Sequence, residues 1–153
     1  MKNYEEKIKD LGLEIPETPE PVGSYIPARR AGDLIFCSGQ GPLKEGEFIH
    51  LGKVGSDLTV EEGYEAAKVC VINCLAAVKS EIGSLNEVDK VVKVRGFVSS
   101  APGFGKQPDV VNGASDLLQE IFGENGRHAR AALGTSDLPG DIPVEVEMVV
   151  SVR

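Results

Sequence analysis

A long helical pattern in the middle of the chain limits the folds that this sequence can adopt. Thr59 and Glu62 stand three residues apart in the order of a capping box, which predicts a helix starting there. Apolar residues then recur at helical spacing as far as Ile82, and Gly83 is a suitable stop. A helix of ~24 residues is about 36 Å long, so it can cross the whole face of a β-sheet.

A second helix and several strands are predicted around the first. Asp109 is the predicted N-cap of the second helix and Gly123 its stop. Residues 144–152 alternate valine or methionine with polar residues, which is typical of a strand with one buried face. The other predicted strands and the predicted hairpin are residues 25–29, 33–38, 43–55, 91–99 and 129–134. The order β-β-hairpin-α-β-α-β-β favours one α+β domain.

The N-terminal segment is predicted to be an arm strapped onto this domain. A short amphipathic helix is expected over residues 3–11, with an apolar side formed by Tyr4, Ile8 and Leu11. Prolines between residues 16 and 21 favour an extended path after it. We therefore divide the chain into an arm, residues 1–21, and a domain, residues 22–153.

Charge and hydropathy limit the partners. The formal net charge is −8, which disfavours general binding to nucleic acid. No apolar run approaches the ~20 residues that span a bilayer, so no membrane partner is expected. The charged N-terminus has no apolar signal region, and we expect a cytoplasmic protein.

The cysteines are predicted to be reduced and buried. Cys37, Cys70 and Cys74 all lie in apolar runs, and the last two share one face of the long helix. A metal site would need further ligands, but His50 and His128 lie in distant segments, so no metal site is predicted.

Two helices on one side of a sheet leave its other face uncovered. That face is expected to carry valine and alanine, which a small domain can bury only against another subunit. The pattern therefore predicts a homo-oligomer.

The last third of the chain carries a more specific pattern. It has Arg130 in a strand of small residues, a Leu-Pro turn at residues 138–141, and alternating valine and glutamate from Val144 to Glu147. Earlier segments, 23–25 (Gly-Ser-Tyr) and 34–40 (ending in Ser-Gly-Gln), precede it in order. Together these segments resemble the RidA (YjgF-type) reactive-intermediate deaminase family across residues 22–153.

This resemblance implies a fold, an assembly and an activity. The fold would be chorismate-mutase-like, a six-stranded mixed sheet with two long helices packed on one face. The assembly would be a homotrimer with active sites in clefts between subunits. The activity would be hydrolysis of 2-imino and enamino acids to 2-oxo acids and ammonia, without cofactor or metal. Ala132, where the deaminases often have cysteine, and the N-terminal extension indicate a divergent branch.

Arg130 is the leading candidate for binding the substrate carboxylate. A guanidinium can hold a carboxylate through two parallel hydrogen bonds, and small neighbours leave room for a ligand. By spacing alone, it also fits a surface arginine on an edge strand.

The resemblance assigns five further residues. Glu145 would position the hydrolytic water and take its proton, whereas Glu147 on the same strand face would not reach the cleft. Tyr25 and Ser38 would offer hydroxyls to the substrate, Gly39 would let the backbone approach it, and Asn112 would complete the binding site. Taken alone, these residues also fit turn positions, a solvent-facing glutamate and a local helical hydrogen bonder.

Two other functions remain open. The chain could form a trimer that binds a 2-oxo acid or similar carboxylate without turnover. It could instead be an endoribonuclease, which the acidic charge and the absence of aromatic stacking platforms disfavour. The two histidines, His50 and His128, also do not form a plausible catalytic pair.

Overall fold

The computed structural model describes residues 3–153. The helices are α1 (Tyr4–Asp10), α2 (Val60–Ile82) and α3 (Gln107–Phe122). The strands are β1 (Ala28–Ala31), β2 (Leu34–Gln40), β3 (Leu43–Lys44), β4 (Glu47–Phe48), β5 (Val88–Ser99), β6 (Ala129–Thr135) and β7 (Val144–Val152). Short 3-10 turns occupy Leu85–Glu87, Gly123–Gly126 and Pro139–Asp141.

Five strands form one mixed sheet in the order β1-β2-β7-β5-β6. Only β5 and β6 run parallel; the other neighbours are antiparallel. Helix α2 packs on β2 and β7, and α3 packs beside it on β5 and β6. The predicted α+β architecture, with two long helices on one face of a mixed sheet, is confirmed. β3 and β4 have two residues each and pair only with one another, so they form a separate hairpin instead of a sixth strand of the main sheet.

The ends of α2 agree with the prediction. The Thr59 hydroxyl accepts a hydrogen bond from the Glu62 backbone N–H at 3.1 Å, and the Thr59 backbone N–H donates to the Glu62 carboxylate at 3.0 Å. Gly83 ends the helix with a φ of 86°, a conformation that residues with a Cβ rarely adopt.

The predicted start of α3 was wrong. Its N-cap is Lys106, and Asp109 lies inside the first turn. Pro108 explains the difference, because proline fits the first turn of a helix, where the missing N–H would have no partner. The acidic side chain of Asp109 still suits the positive end of the helix.

The start of β1 also differs from the prediction. Residues 25–29 were expected to be a strand, but β1 begins only at Ala28. Pro27 has no N–H to donate to a neighbouring strand, which favours a strand that begins after it. Tyr25 therefore lies in the loop that leads into the sheet.

The core lies between the sheet and the two long helices. On β7 every second residue is buried, as the alternation predicts: Val144, Val146, Met148, Val150 and Val152. The intervening residues, Glu145 among them, therefore lie on the face away from the helices. That second face carries exposed apolar side chains, with Phe36 of β2 46% and Leu133 of β6 45% exposed.

The N-terminal helix packs against this core. Tyr4 and Ile8 of α1 are buried, as predicted, and the Tyr4 ring lies edge-on to Phe122 with centroids 4.6 Å apart. The Glu5 carboxylate accepts the Leu85 backbone N–H at 3.1 Å. The domain boundary at residue 22 stays a prediction. Among residues 3–153, no helix combines the length and apolar character needed to cross a bilayer.

Candidate functional site

Arg130 lies on the edge strand β6 and points toward the helices. Its neighbour on β5 is the buried Val94. Nη1 of Arg130 donates to Asn112 Oδ1 at 2.7 Å and to Ser115 Oγ at 3.2 Å, and Nη2 contacts the Pro108 carbonyl oxygen at 3.5 Å. Helix α3 therefore holds the guanidinium. The structure brings Arg130 and Asn112 together, as their assignment to one site requires.

The charge of Arg130 has no counter-ion in the described part of the chain. The side chain is half-buried, and its hydrogen-bond acceptors are all neutral. No carboxylate among residues 3–153 comes within 4.0 Å of its guanidinium. A half-buried cation that is oriented but not neutralised favours an anionic ligand.

Two residues behind Arg130 were not predicted. Ser115 is 5% exposed, and its Oγ lies 2.9 Å from His128 Nε2. His128 Nδ1 lies 2.6 Å from the Gly126 carbonyl oxygen. Burial lowers the pKa of His128, and the nearby Arg130 cation lowers it further, although the contact with Gly126 opposes the shift. The sequence signals were modest: Ser115 is one helical turn beyond Asn112, and His128 is two residues before Arg130.

Glu145 lies on the face of the sheet away from the helices, against Gly39. A Cβ at Gly39 would come within 2.6 Å of Glu145 Oε2, so only glycine leaves room for the carboxylate in this position. Burial raises the pKa of Glu145, and repulsion from Glu147 raises it further. The predicted role of Gly39 was close approach to a ligand; in the structure its close neighbour is the carboxylate.

Glu147 differs from Glu145 although both lie on the same face of β7. Its Oε1 accepts a hydrogen bond from Arg95 Nη1 at 2.8 Å. No cation in the described chain pairs with Glu145. Glu145 is thus the carboxylate that is available for chemistry.

Ser38 and Tyr25 lie near the same end of β2. The Ser38 hydroxyl donates to the Ile26 carbonyl oxygen at 2.6 Å and so ties the strand to the loop that carries Tyr25. The Tyr25 hydroxyl accepts a hydrogen bond from the Val22 N–H at 3.4 Å, and Tyr25 is 45% exposed. Ser38 retains lone pairs that could accept hydrogen bonds from a ligand, and the Tyr25 hydroxyl retains its proton.

The predicted residues thus form two groups within one chain. We call Arg130 and Asn112 the arginine half-site, and Tyr25, Ser38, Gly39 and Glu145 the carboxylate half-site. Strand β5 lies between β6 and β7, which puts these two strands about 10 Å apart. The register sets Arg130 beside Val94 and Val94 beside Met148. Arg130 and Glu145 are therefore separated across the sheet and also by three residues along it. They also project from opposite faces. One chain therefore does not assemble the six residues into a single cleft.

Two cavities of the single chain lie elsewhere. Their volumes are about 550 and 260 Å³, and they are lined by residues of α1 and its surroundings, including Glu5 and Lys9. Neither is lined by a residue of the two half-sites.

The cysteines are buried in the core, as predicted. Cys70 and Cys74 share one face of α2, and their thiols donate to the carbonyl oxygens of Val144 and Val146 at 3.4 and 3.2 Å. Burial raises the pKa of both thiols well above its ordinary value. They link α2 to β7 on either side of Glu145, whose carboxylate adds to the rise in the pKa of both thiols.

Comparison with known proteins identifies relatives along nearly the whole chain. The family model described as "YjgF/chorismate_mutase-like, putative endoribonuclease" matches residues 5–146. Protein TCP17 of Trypanosoma cruzi is 38% identical over 147 residues, covering 95% of this chain and 92% of its own. A Dermatophagoides farinae protein named 2-iminobutanoate/2-iminopropanoate deaminase is 24% identical over 141 residues, covering 92% and 95%.

Solved structures share the fold. A Shewanella oneidensis protein named as a putative endoribonuclease superposes with a TM-score of 0.95 at 32% identity, covering 99% of this chain and 100% of its own. An Agrobacterium tumefaciens protein of unknown function gives 0.91 at 39% identity, covering 98% and 92%. Such coverage includes the N-terminal arm. The predicted chorismate-mutase-like fold is confirmed.

Proposed function

Because this chain belongs to the YjgF/RidA-like family, we propose that it hydrolyses reactive 2-imino and enamino acids to 2-oxo acids and ammonia. The observation that carries the proposal is the Arg130 guanidinium, which α3 orients through neutral acceptors and which no carboxylate among residues 3–153 neutralises. The deaminase name of the mite relative supports the same reaction. We place the enzyme in the cytoplasm.

Arg130 would bind the carboxylate of the substrate. Both hydrogens of Nη1 are engaged by Asn112 and Ser115, so the edge formed by Nε and Nη2 is left for a two-point contact. A bound carboxylate would also neutralise a half-buried cation, which favours acids over neutral amines.

Glu145 would act on the water. In the reaction, the water oxygen bonds to the imine carbon while the carboxylate of Glu145 takes a water proton. Glu145 passes that proton to the nitrogen, which gives a carbinolamine. The carbon–nitrogen bond then breaks as the carbinolamine hydroxyl gives its proton to Glu145 and on to the nitrogen, which leaves as ammonia, and a 2-oxo acid remains. Burial suits this role, because it raises the pKa of the Glu145 carboxyl, and a carboxylate with a raised pKa is a stronger base.

The proposed cleft lies between subunits of a homotrimer. The two half-sites lie on opposite faces within one chain, so one protomer's Arg130 would meet the neighbour's Glu145. The exposed apolar face that carries Phe36 and Leu133 supports burial against another copy.

Ammonia release from 2-iminobutanoate generated in situ tests the proposal. We expect Arg130→Ala to lower kcat/KM by about 100-fold or more, since each charge-assisted hydrogen bond is worth about 1.5–3 kcal/mol. Arg127→Ala is the matched control, because Arg127 is exposed. Within the described part of the chain, its one ion pair is with Glu124, at 3.6 Å. Equal rates for Arg130→Ala and the wild type would refute the mechanism.

The same variants distinguish the non-catalytic alternative. If the chain only binds a carboxylate, 2-oxobutanoate should raise its Tm in an Arg130-dependent way without any acceleration of ammonia release.

The name endoribonuclease, carried by the family model and the Shewanella relative, has a separate test. Both ring nitrogens of His128 are engaged, and His50 lies between Glu62 and Glu65, so neither histidine is available to RNA. RNA cleavage that survives re-purification and is lost in His128→Ala would overturn this argument.

A further inference from the structure

We propose that Ser115 and His128 are positioning residues that set the orientation in which Arg130 meets the substrate. The inference rests on the proposed function, because it takes Arg130 to be the group that binds the carboxylate. It adds two residues that are not part of the motif that identified the site.

The hydrogen bonds around His128 have one consistent direction. The Gly126 carbonyl oxygen can only accept, so the 2.6 Å contact requires a hydrogen on His128 Nδ1. In neutral imidazole Nε2 then carries no hydrogen and accepts from the Ser115 hydroxyl at 2.9 Å. With its hydrogen committed to His128, the Ser115 oxygen presents a lone pair to Arg130 Nη1 at 3.2 Å.

The charges around His128 favour this neutral form. The cation that faces it is Arg130, two residues further along the chain, and the neighbours Ser115 and Gly126 are uncharged. On α3, Asp109 and Asp116 are exposed, and Asp116 accepts the hydroxyl of Tyr64. No described carboxylate is in ion-pair contact with His128.

The consequence falls on the guanidinium. Asn112 and Ser115 engage the two hydrogens of Nη1 from one side, which fixes the rotation of the planar group. Of the remaining donors, Nη2 has only the long 3.5 Å contact to the Pro108 carbonyl oxygen, and Nε has no hydrogen-bond acceptor among residues 3–153. The Nε–Nη2 edge is therefore held ready for a carboxylate. Without Ser115, only Asn112 would resist rotation of the group.

The experiment compares Ser115→Ala, His128→Phe and His128→Gln with the wild type. Affinity for 2-oxobutanoate is measured by calorimetry, and KM and kcat for 2-iminobutanoate by ammonia release. We expect Ser115→Ala and His128→Phe to raise Kd and KM about 10-fold with a much smaller change in kcat, because they remove a hydrogen bond to a charged group. His128→Gln can present an amide oxygen to the Ser115 hydroxyl, and we expect it to stay within about 3-fold of the wild type.

Several outcomes would overturn the inference. One is wild-type affinity in both Ser115→Ala and His128→Phe while Arg130→Ala abolishes binding, which leaves the proposed function intact. Another is an equal loss of affinity in His128→Gln and His128→Phe. A hydrogen bond accepted from the Ser115 hydroxyl by residue 128 would then make no difference to binding. A fall in Tm and kcat without any rise in Kd would assign the pair a structural role only.

Unchanged 2-oxobutanoate binding in Arg130→Ala, or none in the wild type, would overturn the inference and the proposed function together. Arg130-dependent binding without ammonia release would overturn the deaminase alone, and the Kd values would still decide the inference.

Discussion

At the scale of single residues, Glu145 and Glu147 show what the pattern could and could not predict. Their alternation with valine places both on one face of β7, as the sequence indicates. The pattern cannot show that Arg95 neutralises Glu147, because that contact depends on the pairing of β5 with β7, between residues 52 positions apart. Likewise, the sequence indicates a close approach at Gly39, but it does not show that the approaching group is the Glu145 carboxylate.

The different environments of the two glutamates predict different responses to substitution and pH. A general base must be ionised, so kcat should fall on acidification through the pKa of Glu145, which burial raises above its ordinary value. Glu145→Gln should abolish turnover but retain 2-oxobutanoate binding. Glu147→Gln should remain active and move the acid limb to lower pH, because it removes a negative charge that raises the pKa of Glu145. A pH–kcat profile checks this, and an unmoved limb in Glu147→Gln would contradict it.

Gly39→Ala should impair activity more than folding. The new methyl would meet the Glu145 carboxylate, whose flexible side chain can move aside, so we expect unfolding free energy to change by only about 1 kcal/mol. The displaced carboxylate should lower kcat by about 10-fold or more, since water must be held within hydrogen-bond reach. Urea unfolding and kcat are measured on the same preparation. Wild-type kcat in Gly39→Ala would show that the position of Glu145 is not critical.

At the scale of elements, prediction succeeded where a local pattern was sufficient. The ends of α2 follow from its capping box and from Gly83, and β7 follows from its alternation. The starts of α3 and β1 were shifted by Pro108 and Pro27, whose effects depend on which turn or strand each proline joins. The strand order β1-β2-β7-β5-β6 depends on contacts between distant segments, which residue periodicity does not contain.

Helix α1 has too few residues to be stable alone, so its order depends on packing. Tyr4→Ala should lower the unfolding free energy by about 2–4 kcal/mol, because it removes a buried ring that packs on Phe122. Tyr4→Phe is the control, since it keeps the ring and loses only the 3.3 Å hydrogen bond from Asn125. Chemical denaturation measures both. Equal losses would assign the stabilisation to the hydrogen bond instead of the packing.

At the scale of the whole molecule, one chain holds the candidate residues in two separate groups. The arginine half-site lies at the sheet edge beneath α3, and the carboxylate half-site lies on the uncovered face, which is also where the apolar side chains of Phe36 and Leu133 are exposed. The sequence indicated the candidate residues, whose roles stay a prediction, and it indicated the uncovered face. It could not predict that Arg130 and Glu145 lie on opposite faces of the sheet, because that depends on which side of each strand faces the helices. A shared cleft between copies reconciles the separation with the proposed chemistry.

Complementation between two inactive variants tests the shared cleft. Arg130→Ala and Glu145→Gln are unfolded together in equal amounts and refolded, so that protomers mix at random within each oligomer. Suppose that the assembly is cyclic and that each site takes Arg130 from one protomer and Glu145 from its neighbour. About one quarter of the sites then receive both groups, and ammonia release should recover to about one quarter of the wild-type rate. If one protomer supplied both groups, no site would recover.

A matched mixture provides the internal check. The double variant Arg130→Ala/Glu145→Gln refolded with an equal amount of wild type should keep about one quarter of the activity when sites are shared, but about one half when each protomer holds a complete site. Variants refolded separately and mixed afterwards control for residual activity, and sedimentation confirms the assembly size. A silent first mixture together with half activity in the second would place the whole site within one chain, and the division into half-sites would then have no bearing on catalysis.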